Sequence, residues 1–230
     1  MADDEPAFSV ASVLVHEEAF ARPHDIELSG DFAFVPGKGG SLAIVDISDP
    51  VKPSLRWHRR DSQELDEAET VLVDQDRLFL GTHDFHSIDV SNPAAPVFTS
   101  KVSDRKRITR INGMVRRGHT VFAASKHGWL DAFDISDPDK PALAGAFDLR
   151  TAHDIGYPHD VDLYGDYAVV VDPRGFGRDG KPGRIALVRV FDAKSKQLLP
   201  ADRWKIAGIL TTPELAGANR VEVSGRYAFV

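Results

Sequence analysis

A motif of ten residues recurs along the chain and constrains its fold more than any other feature. Each copy has a short alternating segment, a tight turn and a second segment rich in aromatic residues, and the clearest copies begin at Ile26, Val161 and Val221. Weaker copies begin at Val71 and Met114, so successive starts are 45, 43, 47 and 60 residues apart. Such alternation is typical of a β-strand with one packed face, and a period of this length is typical of repeat proteins.

A second motif follows the same period. It occurs at Ile44–Pro53, Ser87–Pro96 and Ala132–Pro141, with a worn fourth copy at Arg189–Pro200. Its aspartate, at positions 46, 89, 134 and 192, precedes the closing proline by 7, 7, 7 and 8 residues. The Ser-Asp-Pro or Ser-Asn-Pro sequence predicts a turn, because an Asx side chain can bond backbone two residues on and proline presets φ. We expect the repeated aspartates to bond turn groups within each unit rather than to act in catalysis.

The two motifs together predict four short antiparallel strands per unit, named A to D in chain order. This pattern is typical of an all-β fold, a β-propeller of four-stranded blades, with four full blades and partial ones in this chain. The predicted units are 24–67, 68–111, 112–158 and 159–218, with 1–23 as a closing strand D and 219–230 as the start of a further blade. We expect residues 1–230 to be one incomplete propeller domain, a fragment of a larger ring; a complete five-bladed ring is the alternative.

The composition excludes several classes of function. Thirty-five acidic residues against 28 basic ones give a net charge of −7, which argues against a nucleic-acid partner. The absence of cysteine removes disulfides, thiolate metal sites and cysteine nucleophiles. No apolar stretch is long enough for a transmembrane segment, and the acidic N-terminus lacks the layout of a secretory signal. Taken literally, this predicts a cytoplasmic protein.

The copies of the second motif (IVDISDPVKP), paired with SGDFAFV and SGRYAFV, resemble the LVIVD-repeat β-propeller proteins of bacteria and archaea. The resemblance extends from about Pro6 to Val230, although the fourth unit has Asp-Ala-Lys-Ser-Lys in place of Asp-Ile-Ser-Asp-Pro. It implies an all-β repeat scaffold, often in cell-envelope or secreted proteins, so the compartment stays open. It implies no defined reaction and no catalytic residues.

The loops that lead into strand A supply the first candidate ligand-binding residues. In a propeller, strand A lines the central channel, and these loops share one face with the B–C turns. Convergent polar groups at a concave surface are where ligands bind by default. The candidates in these loops, called the rim residues below, are His24, Asp25, Glu69, Asn112, His159, Asp160, Asn219 and Arg220. The alternative is that these side chains tie successive blades together by hydrogen bonds to neighbouring loops.

The B–C turns and the long loop after strand B of the fourth unit add further candidates to the same face. They are His83, Asp84, His86, His127 and Arg174. Three of them, between positions 83 and 86, resemble a sparse metal set, because imidazole and carboxylate suit zinc or similar ions. The further ligands that such a site needs are not fixed by spacing; they could be Glu69, His127 or His159. We therefore predict no metal site.

A third pattern spells G-x-G-x-x-G at residues 175–180. A strand follows it instead of a helix, so no helix N-terminus is available to receive a phosphate. The Gly-x-Ser-x-Gly elbow and the His-Glu-x-x-His motif are absent from the sequence as well. We predict no cofactor and assign no catalytic residue.

The sequence favours a binding or interaction scaffold. The expected partner is a protein, a glycan or a small-molecule ligand at the loop face, with no nucleic acid and no transmembrane segment. The alternative is an enzyme, hydrolase- or lyase-like and possibly metal-assisted, with a His/Asp/Glu site at the channel mouth. That site would use His24, Glu69, His83 and His159. Propellers host both kinds of function, so the fold alone does not choose.

Overall fold

Four antiparallel sheets of four strands each dominate the computed structural model, which describes residues 9–173 and 181–230. Blade 1 contains β1 (Glu27–Ser29), β2 (Phe32–Gly37), β3 (Ser41–Asp46) and β4 (Ser54–Arg60). Blade 2 contains β5 (Thr70–Asp74), β6 (Arg77–Gly81), β7 (Phe85–Asp89) and β8 (Val97–Val102). Blade 3 contains β9 (Ile111–Arg117), β10 (Thr120–Ser125), β11 (Trp129–Asp134) and β12 (Ala142–Asp148). Blade 4 contains β13 (Asp160–Tyr164), β14 (Tyr167–Asp172), β15 (Gly183–Arg189) and β16 (Lys205–Thr212).

A two-stranded sheet follows blade 4 and consists of β17 (Glu222–Ser224) and β18 (Tyr227–Phe229). Helical structure in the described ranges is limited to α1 (Arg150–His153) and two 3₁₀ turns, Ala201–Arg203 and Pro213–Leu215. Strands are hydrogen-bonded in chain order within each sheet, and the first strands of successive sheets lie side by side. The predicted all-β propeller of four full blades and a partial one is confirmed.

The hydrophobic core lies between successive blades and not within one central cluster. One cluster joins blades 1 and 2 through side chains such as Ile44 and Leu78, and another joins blades 3 and 4 through Phe122 and Val170. Between blades 2 and 3, Phe85 stacks on Phe133 with ring centroids 4.0 Å apart. Strands packed on both faces explain the apolar runs in the B and C strands, because each face buries side chains worth roughly 2 kcal/mol apiece.

The repeated aspartates bond the turns that follow strand C, as the motif predicted. Asp46, Asp89 and Asp134 accept hydrogen bonds from the backbone nitrogens two residues on, at 3.0, 2.9 and 2.8 Å. The fourth copy differs: Arg189 lies opposite Tyr167, in the place that a repeated aspartate takes in the other blades. Its aspartate, three residues later, bonds the backbone nitrogens of 194 and 195 instead. The Asx turn of blade 4 thus lies three residues later in the chain than in the other blades.

Residues 9–22 form no strand, although the sequence predicts a strand D in this region. They pass along blade 1, where Ser12 Oγ donates to the Pro50 carbonyl at 3.0 Å and His58 Nε2 lies 3.9 Å from Glu18 Oε2. A single extended segment acquires a ladder only from a partner strand. The closing role of 1–23 and the unit boundaries therefore stay predictions. No helix among the described residues is both long enough and apolar enough to cross a bilayer.

Candidate ligand-binding site at the channel mouth

The loops leading into the first strand of each sheet are bonded to one another across the blades. His24 Nδ1 lies 3.1 Å from the Glu69 carbonyl oxygen, which joins blade 1 to blade 2. Asn112 Nδ2 donates to the Pro158 carbonyl at 3.0 Å, joining blade 3 to blade 4. His159 Nδ1 lies 2.9 Å from the carbonyl oxygen of Asn219, the residue that leads into the β17–β18 sheet. The same kind of contact therefore recurs around the channel.

The acidic rim residues make a second set of ties between blades. Asp25 accepts a hydrogen bond from the Val71 nitrogen at 3.3 Å, and Asp160 accepts one from the Val221 nitrogen at 3.0 Å. Arg220 completes the rim, with Nη2 2.9 Å from Asp25 Oδ1 and Nη1 3.9 Å from Asp160 Oδ1. The structure thus brings the rim residues together, and it gives them the blade-tying contacts that the sequence left open as an alternative.

Glu69 is the most connected side chain at the mouth. Its carboxylate is fully buried, with Oε1 2.9 Å from Arg110 Nε and 3.3 Å from Lys38 Nζ. Arg110 also holds Glu67, with Nη1 2.8 Å from Oε2, and donates from Nη2 to the Tyr157 hydroxyl at 3.2 Å. Burial raises the pKa of Glu69, against the opposing effect of the two cations. Side chains from blade 1 and from the loop into blade 3 therefore meet at this carboxylate, and Arg110 connects it to the loop into blade 4.

Four residues of this cluster were not identified from the sequence. Three of them share one offset, because each lies two positions before a rim residue: Glu67, Arg110 and Tyr157, which precede Glu69, Asn112 and His159. Comparing the five loops at that offset would have found them. Lys38 carries no such signal, since it comes from the β2–β3 turn and reaches blade 2 only in the folded protein.

Two imidazoles face each other near the centre of the mouth. The ring centroids of His24 and His159 are 6.3 Å apart. Burial lowers the pKa of His24, and burial lowers that of His159 to about 4. Lys38 and Arg220 act on both rings in the same direction. Burial also raises the pKa of Asp160 to about 6, so at neutral pH the mouth holds neutral imidazoles beside an ionised carboxylate.

His83 and Asp84 lie away from the rim residues, on the outer side of the same face. His83 Nδ1 contacts the Thr109 carbonyl oxygen, and its Nε2 lies 3.7 Å from Asp66 Oδ2. Asp84 is buried, with Oδ2 3.4 Å from Arg105 Nη2. Both side chains therefore contact the loop between blades 2 and 3.

His86 and His127 also fall outside the rim. Strand alternation turns His86 into the interior, where its Nε2 lies 3.0 Å from Thr82 Oγ1 and burial lowers its pKa to about 4. His127 is exposed in the β10–β11 turn with a positive φ of 71°. Arg174 lies outside the described residues. Within 9–173 and 181–230, no three potential metal-ligating side chains form a group suited to an ion, so the candidate metal set of residues 83–86 is not assembled.

Comparisons with known proteins identify the family of the repeats and the type of fold. The family model described as LVIVD repeat matches residues 23–58, 79–104, 118–149 and 155–176, about half of the chain. A search of curated proteins found no match.

Solved structures share the architecture at low sequence identity. The β-propeller domain of Cps50 (Swd1) from Myceliophteria thermophila is 12% identical with a TM-score of 0.55, covering 83% of this chain and 60% of that one. The computationally designed Ika4 protein is 12% identical with a TM-score of 0.51, covering 71% and 92%. BamB from Moraxella catarrhalis is 17% identical with a TM-score of 0.47, covering 76% and 46%. The chain thus spans less than two thirds of the Cps50 domain and about half of BamB.

Proposed function

The chain belongs to the LVIVD-repeat family, and we propose that it acts as a binding scaffold whose partner docks on the loop face around the channel mouth. The observation that carries this proposal is the ring of interblade contacts made by the rim residues. Convergent polar groups held in place by a rigid frame are the usual composition of a ligand site.

Preorganisation supports binding at this face. Side chains that already sit in fixed hydrogen bonds lose little further conformational freedom when a ligand arrives, so less of the binding free energy is spent on ordering them. Arg220 and His24 combine both properties, because each is bonded on one side and partly exposed on the other. The partner proposed for this face is a protein, a glycan or a small molecule, as expected from the sequence.

A ligand screen with matched variants tests the proposal. We would measure the rise in Tm that peptides, glycans and small molecules cause in the wild-type chain, in Arg220→Ala and in Asp76→Ala, an exposed change in the β5–β6 turn at the opposite end of the sheet. A ligand bound at the mouth stabilises by RT ln(1 + [L]/Kd), so its effect should shrink in Arg220→Ala and persist in Asp76→Ala. Stabilisation that survives Arg220→Ala but disappears in Asp76→Ala would contradict the proposal.

A hydrolase- or lyase-like activity is the second candidate, and one observation favours it. Glu67 and Glu69 interact directly, and their pKa values are displaced in opposite directions. Burial raises the pKa of Glu69. At Glu67 burial acts in the same direction, but Arg110, the contact with Glu69 and the nearby cations together lower the pKa. Two carboxyl groups whose pKa values are displaced in opposite directions are typical of a general acid and its partner. Turnover of chromogenic ester or glycoside substrates should then fall by about 10²-fold or more in Glu69→Gln; turnover that is unchanged in this variant would exclude it.

A further inference from the structure

The centre of the channel mouth is electrically asymmetric, because Arg220 and Lys38 are each more exposed than the carboxylates they pair with. The Arg220 side chain is 46% exposed, against 19% for Asp25 and 9% for Asp160. Lys38 is 19% exposed, whereas its partner Glu69 is 0% exposed. The carboxylates therefore lie behind the cations as seen from solvent.

The carboxylates are also turned toward the blade junctions by their hydrogen bonds. Asp25 and Asp160 each accept a backbone N–H of the next sheet, from Val71 and Val221. Glu69 is held from the other side by Arg110. Because field strength falls with distance and with screening by water, a ligand at the opening experiences the nearer, exposed cations first.

The two imidazoles lie close to these cations, because Lys38 and Arg220 both act on the pKa values of His24 and His159. Lys38 shares the Glu69 carboxylate with His24, whose Nδ1 is 3.9 Å from Oε2. Arg220 bridges Asp25 and Asp160, the residues that directly follow His24 and His159. Two rings 6.3 Å apart and two cations thus lie close together at the channel mouth.

We propose that this opening binds a compact oxyanion, a phosphate, sulfate or carboxylate group, held between His24 and His159 by Lys38 and Arg220. The inference rests on the proposed binding function and names the ligand chemistry of the same site. Guanidinium and ammonium donors are the usual partners of such groups, and arginine can bind them through two parallel N–H donors.

Binding at this site should be coupled to proton uptake. An anion beside an imidazole favours the protonated ring, so affinity should increase as pH falls from 7.5 to 5.5. The other charged or titratable groups that face the two rings are Lys38, Asp25, Glu69, Tyr157, Asp160 and Arg220. Burial raises the pKa values of Glu69 and Asp160, so these carboxylates lose charge in the same direction and reinforce the effect.

Isothermal titration with sulfate tests the inference, since sulfate keeps its charge between pH 5.5 and 7.5. At constant ionic strength, we expect saturable 1:1 binding that is several-fold tighter at pH 5.5 and about tenfold weaker in Arg220→Gln and in Lys38→Gln. The matched control is Arg226→Gln, an exposed arginine in the β17–β18 turn at the opposite end of that hairpin, and it should bind as the wild type does. Circular dichroism confirms that each variant is folded. Titration with acetate and with inorganic phosphate distinguishes carboxylate from phosphate ligands.

Three results would overturn the inference: no saturable binding, binding in both mouth variants that is as tight as in the wild type, or a loss in Arg226→Gln as large as that in the mouth variants. If sulfate does not bind while the binding of an uncharged ligand still depends on Arg220, the oxyanion inference is wrong and the proposed binding function stands. If no ligand of any class depends on Arg220, both are wrong.

Discussion

At the scale of single residues, the most informative positions are two ionisable side chains buried at equivalent places in strand C. His86 and Asp131 each lie three residues before the repeated aspartate of their blade. Asp131 is fully buried, and Ser125 Oγ donates to its Oδ2 at 2.5 Å. Burial raises the pKa of Asp131 to about 7 and lowers that of His86 to about 4. Burial therefore keeps Asp131 uncharged up to about pH 7 and His86 uncharged down to about pH 4. The two groups consequently have opposite effects on how stability changes with pH.

Replacing Asp131 with asparagine should raise stability at alkaline pH. The folded pKa of about 7 exceeds the usual value of 3.8, so the stabilising contribution of Asp131 is fully present below about pH 4 and is lost as pH rises through 7. One pKa unit corresponds to about 1.4 kcal/mol, so the cost reaches about 4 kcal/mol above pH 7. The unfolding free energy, measured with urea, should differ less between pH 5 and pH 8 in Asp131→Asn than in the wild type. Exposed Asp202→Asn is the control, and identical pH profiles of wild type and Asp131→Asn would contradict the prediction.

Replacing His86 with glutamine should act at acidic pH. Its folded pKa of about 4 lies below the usual value of 6.5, so the unfolded chain takes up the proton first and the contribution of His86 to stability decreases as pH falls from about 6.5 to about 4. The loss approaches about 3 kcal/mol in the wild type and should be absent in His86→Gln. Unfolding free energies at pH 7 and pH 4.5 measure it, with exposed His119→Gln as the control. A His86→Gln variant that is as acid-sensitive as the wild type would refute the assignment.

At the scale of elements, the blades meet where their first strands run side by side, and the closest approach is at Gly113 in β9. A Cβ on this residue would lie 2.8 Å from the Cα of Asp160 in β13 and would also collide with the Asp160 carboxylate. Because Asp160 is itself bonded to the Val221 nitrogen, it has little freedom to move aside. Glycine at this position therefore allows the first strands of blades 3 and 4 to lie in close contact.

Gly113→Ala should destabilise the chain by about 1–3 kcal/mol through overpacking of the β9–β13 contact. The matched control is Gly208→Ala in β16, where a Cβ meets no heavy atom within 4 Å, so the unfolding free energy should change by less than about 1 kcal/mol. Urea unfolding of both variants measures the difference. Equal effects of the two substitutions would show that β9 and β13 are not in close contact at this point.

At the scale of the whole molecule, packing is uneven along the chain. Strands β10 and β11 have a hydrogen-bonded neighbour on each side and are buried in two interblade cores. The sheet of β17 and β18 has two strands, and it exposes 59% of Tyr227 and 60% of Phe229. Local opening free energies follow the number of buried contacts and paired backbone groups. Stability should therefore decrease from blade 3 toward β18.

Amide hydrogen exchange measures this gradient. In the native chain near neutral pH, we expect the amides of β10 and β11 to exchange at least about 10³-fold more slowly than those of β18. A ligand bound at the channel mouth should slow exchange near Arg220 and Val221, because Val221 is bonded to Asp160. Equal protection of β11 and β18 would show that the two-stranded sheet is as stable as a full blade.

The repeats made the local structure predictable, because strand alternation and Asx turns depend on neighbours in the sequence. Asp46, Asp89 and Asp134 were placed correctly in their turns for that reason. At the channel mouth, the sequence predicted the side chains that lie at equivalent positions of the repeats. The burial of His86 was not predicted, because the direction of a side chain beside a B–C turn depends on where strand pairing begins.

By itself, the amino-acid sequence determined the four-stranded units, their turns and the set of loops that share one face. Each of these follows from interactions within about ten residues, and the period then repeats them. Only the tertiary structure decided which charges meet: Lys38 and Arg110 at Glu69, and Arg220 at Asp25, which is 195 residues distant. These contacts join different blades, and the geometry that brings them together arises when the interblade cores are packed.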